Sequence, residues 1–214
     1  SYSDSDSFQF YGGNVKAEKL VSFRAADDDY DFTQGVQANF SNSIAIRHPY
    51  SNALDQQSRC MEIKAYNSIE RYDGQVNKTN VNATNLTLVN TEDNNQGLIK
   101  EAIFISNEAT LNFNNSVVYG FKDFLMVSEL SLINEFERFI KLKNLVIAHC
   151  SNTFSTMKDD TIRMDTATIF SKNNITVSDG AIGDHFKNTD VASAPDFRYS
   201  KLETVTSRLV LNKN

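Results

Sequence analysis

The chain has 214 residues, enough for one substantial domain or two small ones, with 22% charged residues and a formal net charge of −6. No clustered Lys/Arg stripe accompanies that acidity, which argues against a nucleic-acid partner. The apolar runs are only a handful of residues long, so none has the length of a membrane-spanning helix.

Asparagine sets the character of the chain: there are 24 Asn against 8 Gly and 2 Pro. Asn tolerates left-handed φ and hydrogen-bonds nearby backbone, so it makes turns where Gly and Pro are scarce. Cys60 and Cys150 lack metal-ligand spacing and are too few for a disulfide framework; buried thiols are the simplest reading, a single bridge the other.

From the start of the chain, "DSFQFYGG" (6–13) and "DDYDFTQG" (28–35) share Asp, an aromatic, Phe and Gly at an offset of 22. The alternating aromatics have a period of 2, which predicts a strand with one buried face. Phe8, Phe10, Tyr30 and Phe32 are expected to point inward, and Gln9, Asp29 and Asp31 outward.

A triplet then recurs as "VKA" (15–17), "VQA" (36–38), "IKA" (63–65), "VNA" (81–83), "LNF" (111–113), "IKL" (140–142) and "IFS" (169–171). Its third positions fall 18 to 30 residues apart, the range of solenoid repeats. A second short apolar strand follows several of the triplets, introduced by Asn: "NSIAI" (42–46), "NLTLV" (85–89), "NSVVY" (115–119), "NLVIA" (144–148) and "NITVS" (174–178).

Such a pattern predicts coils stacked about 4.8 Å apart, strands paired in parallel, and corner Asn residues forming a ladder. A sandwich or propeller also has many short strands, but would not preserve a triplet-plus-Asn motif. The expected fold is all-β: one right-handed, single-stranded parallel β-helix domain over residues 1–214, of seven or eight coils. Within "SELSLINEFERFI" (128–140), Leu130, Ile133, Phe136 and Ile140 recur at helical spacing with Ser128 placed to cap. This predicts one short inserted helix, lying outside the solenoid and covering apolar coil surface.

The segment "SDSFQFYGGNVKAEKLVSFRAADDDYDFTQG" resembles the central coils of right-handed β-helix proteins of the pectin-lyase-like superfamily. More narrowly, it is similar to a Bacteroidetes-type group of cell-surface and lipid-anchored proteins. Phe10, Tyr11, Gly12 and Gly13 fill that group's first turn, with Asn14 in its Thr place, and Asp28, Asp29, Tyr30 and Asp31 fill its second. "NNSVVYGF", "KNLVIAHC" and "APDF" (194–197) are similar to its outer coils. The resemblance covers most of residues 1–155 and implies a fold and a cell-surface or outer-membrane, lipoprotein habit rather than an activity. In such proteins the "FGG" coil lies mid-solenoid, so this chain is expected to be the C-terminal part of a longer protein, or to pair its first coil with a partner.

The acidic run supplies the candidate site. Asp27, Asp28, Asp29 and Asp31, with Asp4 and Asp6 one coil away, offer the hard oxygen ligands that suit Ca²⁺, although the EF-hand pattern is absent. A solvated acidic turn is the plainer reading. Arg24 and Arg47 lie in neighbouring coils and flank the acids, so Asp29, Asp31, Arg24 and Arg47 form the candidate ligand-binding set. Polysaccharide lyases and hydrolases of the superfamily use carboxylates, with or without Ca²⁺, plus an Arg or Lys along one face; paired acids serve there as acid and base. "KDDTIRMD" (158–165), with Arg163, reads as a second acidic turn.

His48, His149 and His185 lack ligand spacing, and His149 is expected to pack on a strand or sit at a coil edge. N-x-S/T sequons at Asn39, Asn77, Asn82, Asn85, Asn114 and Asn174 follow from composition. Tyr66, Tyr72, Tyr119 and Phe121 are candidates for a sugar-stacking platform, with core packing the commoner fate. The resulting expectation is a cell-surface module that binds or scaffolds, for glycans or beside a nutrient-uptake complex, without an assigned catalytic residue. The alternatives are a polysaccharide lyase or hydrolase, and an adhesin segment that contacts another protein.

Overall fold

The computed structural model describes residues 3–48, 58–66, 78–91, 101–106, 109–158, 162, 165–190 and 195–199. The chain forms a parallel β-helix of six coils among these residues, fewer than the seven or eight expected. The first sheet stacks β1 (Phe8–Tyr11), β4 (Tyr30–Thr33), β7 (Met61–Lys64), β10 (Glu101–Ser106), β12 (Asp123–Val127) and β14 (Asn152–Thr156), all parallel.

The second sheet is bent into two limbs. The first limb holds β2 (Asn14–Glu18), β5 (Gln37–Ser41), β8 (Asn80–Thr84) and the opening halves of β11 (Thr110–Tyr119) and β13 (Ile140–Ala148). The second limb holds β3 (Val21–Phe23), β6 (Ile44–Arg47), β9 (Thr87–Asn90), the closing halves of β11 and β13, and β15 (Ile175–Ser178).

The corner between the limbs is the predicted asparagine column. Asn42, Asn85, Asn115, Asn144 and Asn174 all have φ between 51° and 58°, and Lys19 takes the same place in the first coil. Asn tolerates this left-handed conformation, which lets the strand turn without Gly. The ladder runs from Asn85 Nδ2 to Asn42 Oδ1 (3.0 Å), Asn144 Nδ2 to Asn115 Oδ1 (2.9 Å) and Asn174 Nδ2 to Asn144 Oδ1 (3.1 Å). It breaks between Asn85 and Asn115, where Asn115 Nδ2 donates instead to Thr84 Oγ1 at 3.5 Å.

The interior is aromatic, as the period-2 pattern requires. Phe8 stacks on Tyr30 and Phe10 on Phe32, with ring centroids 5.7 and 4.8 Å apart, and Phe40 tilts against Tyr30 and Phe32. Further along the stack Phe113, Phe124, Phe154 and Phe136 continue the core. Burying such rings contributes about 1.5–3 kcal/mol each relative to exposure.

The triplet register differs from expectation in three places. Val15 pairs with Ala38 and Ala17 with Phe40, so the second coil contributes Ala38–Phe40, and Val36 is buried in the turn before β5. That turn is one residue longer than its counterpart in the first coil. Ile63 and Lys64 belong to the first sheet, where Ile63 pairs with Phe32 and Ile105, and Ala65 follows in the bend after β7. Ile169–Ser171 lies in α3 (Thr166–Asn173), which takes the place of a first-limb strand in the sixth coil. Asp165 caps this helix, accepting from Thr168 N at 3.0 Å.

The inserted helix is present but split into α1 (Leu130–Asn134) and α2 (Phe136–Phe139), and Ile140 begins β13. Its apolar face, Leu132, Ile133 and Phe136, is buried against the main core, while Asn134, Glu135, Glu137 and Arg138 are exposed. Ser128 provides no cap; its Oγ is buried without a hydrogen-bond partner among the described residues. After β15, α4 (Ile182–His185) leads into an antiparallel pair, β16 (Phe186–Asn188) and β17 (Asp196–Tyr199), whose Phe186 and Phe197 pack on the outside of the second limb against Ile46, Val89, Val117 and Tyr119.

Candidate functional site

The acidic run splits into two environments. Asp29 is fully buried, and its Oδ2 accepts from Arg47 Nη1 at 2.9 Å while Oδ1 accepts from Ser22 Oγ. Arg47 is itself 1% exposed, and its Nη1 also donates to the carbonyls of Asp27 (2.8 Å) and Arg59 (2.9 Å), and Nη2 to Ser58 Oγ. Burial alone would lower the Arg47 pKa, but the adjacent Asp29 carboxylate raises it, so the guanidinium stays charged. Sequence reasoning placed Asp29 on the outer face; it turns inward because it precedes β4, where the chain crosses from second limb to first sheet.

Asp28, Asp31 and Glu62 make the second environment. The register puts Gln9, Asp31 and Glu62 in one column on the outer side of the first sheet, opposite the aromatic face. Carboxylate oxygens of Asp28, Asp31 and Glu62 lie within 4.8 Å of one another, as do those of Asp6, Asp27 and Asp28. Asp28, Asp31 and Glu62 are nevertheless buried, at 4%, 3% and 8% exposure. Arg59 crosses the group: its amide donates to Asp28 Oδ1 (2.6 Å), Nη1 to Glu62 Oε1 (2.8 Å) and Nε to Glu101 Oε1 (2.6 Å), while its guanidinium lies 4.4 Å from the Phe104 ring centroid. Lys64 pairs with Glu62, and Gln9 Nε2 donates to Asp31 Oδ2 at 2.8 Å.

Two cations do not neutralise these carboxylates. Burial pushes Asp28 well up, reinforced by Glu62; burial also raises Asp31; and Asp6 rises to about 6 through burial and the nearby Asp31. Asp31 Oδ1 has no hydrogen-bond partner among the described residues. The oxygen donors of Asp28, Asp31 and Glu62 suit a hard cation such as Ca²⁺, with Arg59 and Lys64, both paired to Glu62, as the competing charges. The cation-capable groups therefore overlap the set read from sequence without matching it: Asp29 is occupied by Arg47, Asp6 joins Asp27 and Asp28 from the neighbouring coil as expected, and Glu62 is added beside Asp28 and Asp31.

The remaining candidates separate from the cluster. Arg24 has φ 58° and lies over the Phe23 ring at 5.0 Å, and Asp4 is exposed. Tyr119 and Phe121 are each 1% exposed and belong to the core, and Tyr66 is half-buried, so these three do not make an exposed stacking platform. Tyr72 and Arg163 lie outside the described residues. His149 is an exposed left-handed turn residue stacked on Tyr119, whereas His185 is buried beside the same ring. Cys60 and Cys150 are free, Cys60 deep in the core with its thiol pushed well up by burial, Cys150 partly buried and raised to about 11 for the same reason.

Arg59, Glu62 and Glu101 were missed from sequence. Their signal was weak because Glu62 stands 31 positions after Asp31, not 22, and only the strand register aligns them.

Parallel strands in stacked sheets, turned at a left-handed asparagine corner, make a parallel β-helix. The chain belongs to the pectate-lyase-like beta helix domain family, which matches residues 1–195. No curated protein and no solved structure matches the chain. No helix among the described residues is long and apolar enough to cross a membrane.

Proposed function

We propose that this chain is a non-catalytic β-helix module of the cell surface that binds or scaffolds an extended polymer, a glycan foremost. The observation that carries this reading is the sequestration of Arg47. The basic residue that would stand beside the acids in a catalytic cleft is 1% exposed and held by Asp29, Ser58 and backbone carbonyls. What solvent meets instead is a stiff stack of in-register strands, a support suited to a long ligand. The surface location follows the resemblance of the first coils.

A second reading, a polysaccharide lyase or hydrolase, is favoured by one feature: Asp28, Asp31 and Glu62 converge, and burial raises the pKa values of Asp28 and Asp31, as in clustered carboxylates that serve as proton donors. On this reading a bound Ca²⁺ would neutralise substrate charge, and Asp31 would hold it through Oδ1, which accepts no hydrogen bond among the described residues.

Affinity electrophoresis across acidic and neutral polysaccharides, with and without Ca²⁺, combined with an assay for new chain ends, separates the two. Retardation without new chain ends is the expected result. Chain ends produced by the wild type and lost in Asp31→Asn would establish the enzyme. Absence of retardation in every gel would overturn the binding module.

A further inference from the structure

We propose that the outer face of the first limb, on coils two to four, is the binding surface, and that its ligand is an uncharged polyhydroxyl polymer. This rests on the binding reading above and names its face and its ligand class.

The face is defined by register. Gln37, Asn80 and Thr110 form one column, Asn39, Asn82 and Asn112 a second, and Ser41, Thr84 and Asn114 a third. The intervening residues Ala38, Phe40, Val81, Ala83, Leu111 and Phe113 are buried, so the nine point away from the core and none of them is buried. All nine are uncharged and polar. Open sheet faces are ordinarily kept soluble by Lys and Glu, and this chain uses that device on the flanking coils, with Lys16 and Glu18 above and Lys141 and Lys143 below. Within this limb, the charged residues stand on coils one and five, and coils two to four carry none at the outward positions.

The side chains are also fixed. Asn82 Nδ2 donates to Asn39 Oδ1 at 3.4 Å, Asn112 Nδ2 to Asn82 Oδ1 at 2.6 Å, and Thr110 Oγ1 to Asn80 Oδ1 at 2.7 Å. Gln37 Nε2 is held by the carbonyls of Gly35 (3.0 Å) and Lys78 (2.8 Å). A primary amide has two N–H donors and two acceptor sites, so each amide in the ladder keeps a donor and an acceptor for a ligand. Because these groups are already ordered, binding immobilises little that was free.

The result is a lattice of paired donors and acceptors, about 4.8 Å apart along the solenoid axis and about 6.6 Å apart along each strand. Hydroxyl groups, each donor and acceptor at once, complement such a lattice. A polyanion finds no cation on the nine positions, and a polycation no carboxylate.

The test is co-sedimentation of the chain with an insoluble neutral glucan, using an insoluble polyuronate as the charged control and Lys122→Gln, on a different strand connection, as the control variant. The wild type and Lys122→Gln are expected to bind the glucan and leave the polyuronate; Asn82→Lys and Thr110→Lys are each expected to weaken glucan binding about five-fold or more, and Asn82→Gln to keep it within about two-fold. Side-chain amide resonances of Asn39, Asn82 and Asn112 in the wild type should shift on adding a soluble neutral oligosaccharide, a readout independent of how the variants fold. Glucan binding that survives both Lys variants with those amides unmoved would overturn the face and leave the binding module standing. Binding to polyuronate alone would overturn the ligand class. Failure to bind any polymer would remove both this proposal and the module reading.

Discussion

Arg47 and Asp29 form an ion pair with almost no solvent contact, and the cost of disturbing it depends on which charge is left behind. Arg47→Met strands a buried carboxylate and is expected to cost about 3–5 kcal/mol, read as a shift in the urea midpoint. Converting both, as Asp29→Leu with Arg47→Met, should recover most of that loss, because a paired removal leaves no orphan charge. The carboxylates around Asp31 behave differently. Asp6, Asp28 and Asp31 all have folded-state pKa values above their unfolded ones, so the native state binds protons more tightly than the unfolded chain. Their ionisation works against folding: stability should rise as pH falls from 7 through about 6 towards the unfolded value near 4, and decline again on return. Asp31→Asn should therefore raise the melting temperature at pH 7 by about 2–4 °C and flatten its pH dependence, an on-the-order-of 1 kcal/mol effect.

At the level of elements, the left-handed asparagines do two jobs at once. Asn144 has φ 54°, donates to Asn115 and accepts from Asn174. Asn144→Ala is expected to cost about 2–4 kcal/mol by denaturant unfolding, from the strained φ and two lost hydrogen bonds, and Asn144→Gly about 1 kcal/mol less, since Gly accepts the φ but not the ladder. This corner was legible in the sequence because its signal is local: Asn before a short apolar run at five places. The aromatic first sheet was legible for the same reason, through period 2 over four residues. The coil register was not. One extra turn residue around Val36 shifts the triplet out of phase, and the step from Ala38 to Val81 is 43 residues, so periodicity alone could not align the third coil. "IFS" was assigned to a strand although Asp165-Thr166-Ala167-Thr168 carries a helix-capping signal, because three apolar residues do not distinguish strand from helix. The acidic site was legible as a cluster but not as a buried one, since Arg59 and Glu101 come from coils far away in sequence and only stacking brings them to Asp28 and Glu62.

Across the whole molecule, each coil is supported by its neighbours, and the strands of the first coil pair on one side only among the described residues. Amide hydrogen exchange in this chain should accordingly be slowest in β5, β8 and β11 and faster in β1 to β3, with α3 intermediate through its contacts with β13 and β15. The same stacking separates two surfaces. The outer side of the first sheet concentrates charge and then buries it; the outer side of the first limb, on coils two to four, carries nine uncharged polar positions, none of them buried. The measurement that tests this division most directly is affinity electrophoresis of the wild type, Asn82→Lys and Asp31→Asn in parallel gels containing a neutral or an acidic polysaccharide, each with and without Ca²⁺. The neutral gel should retard the wild type and Asp31→Asn alike and release Asn82→Lys, whatever the Ca²⁺. Retardation confined to the acidic gel, dependent on Ca²⁺, lost in Asp31→Asn and kept in Asn82→Lys would contradict it and place recognition at Asp28, Asp31 and Glu62.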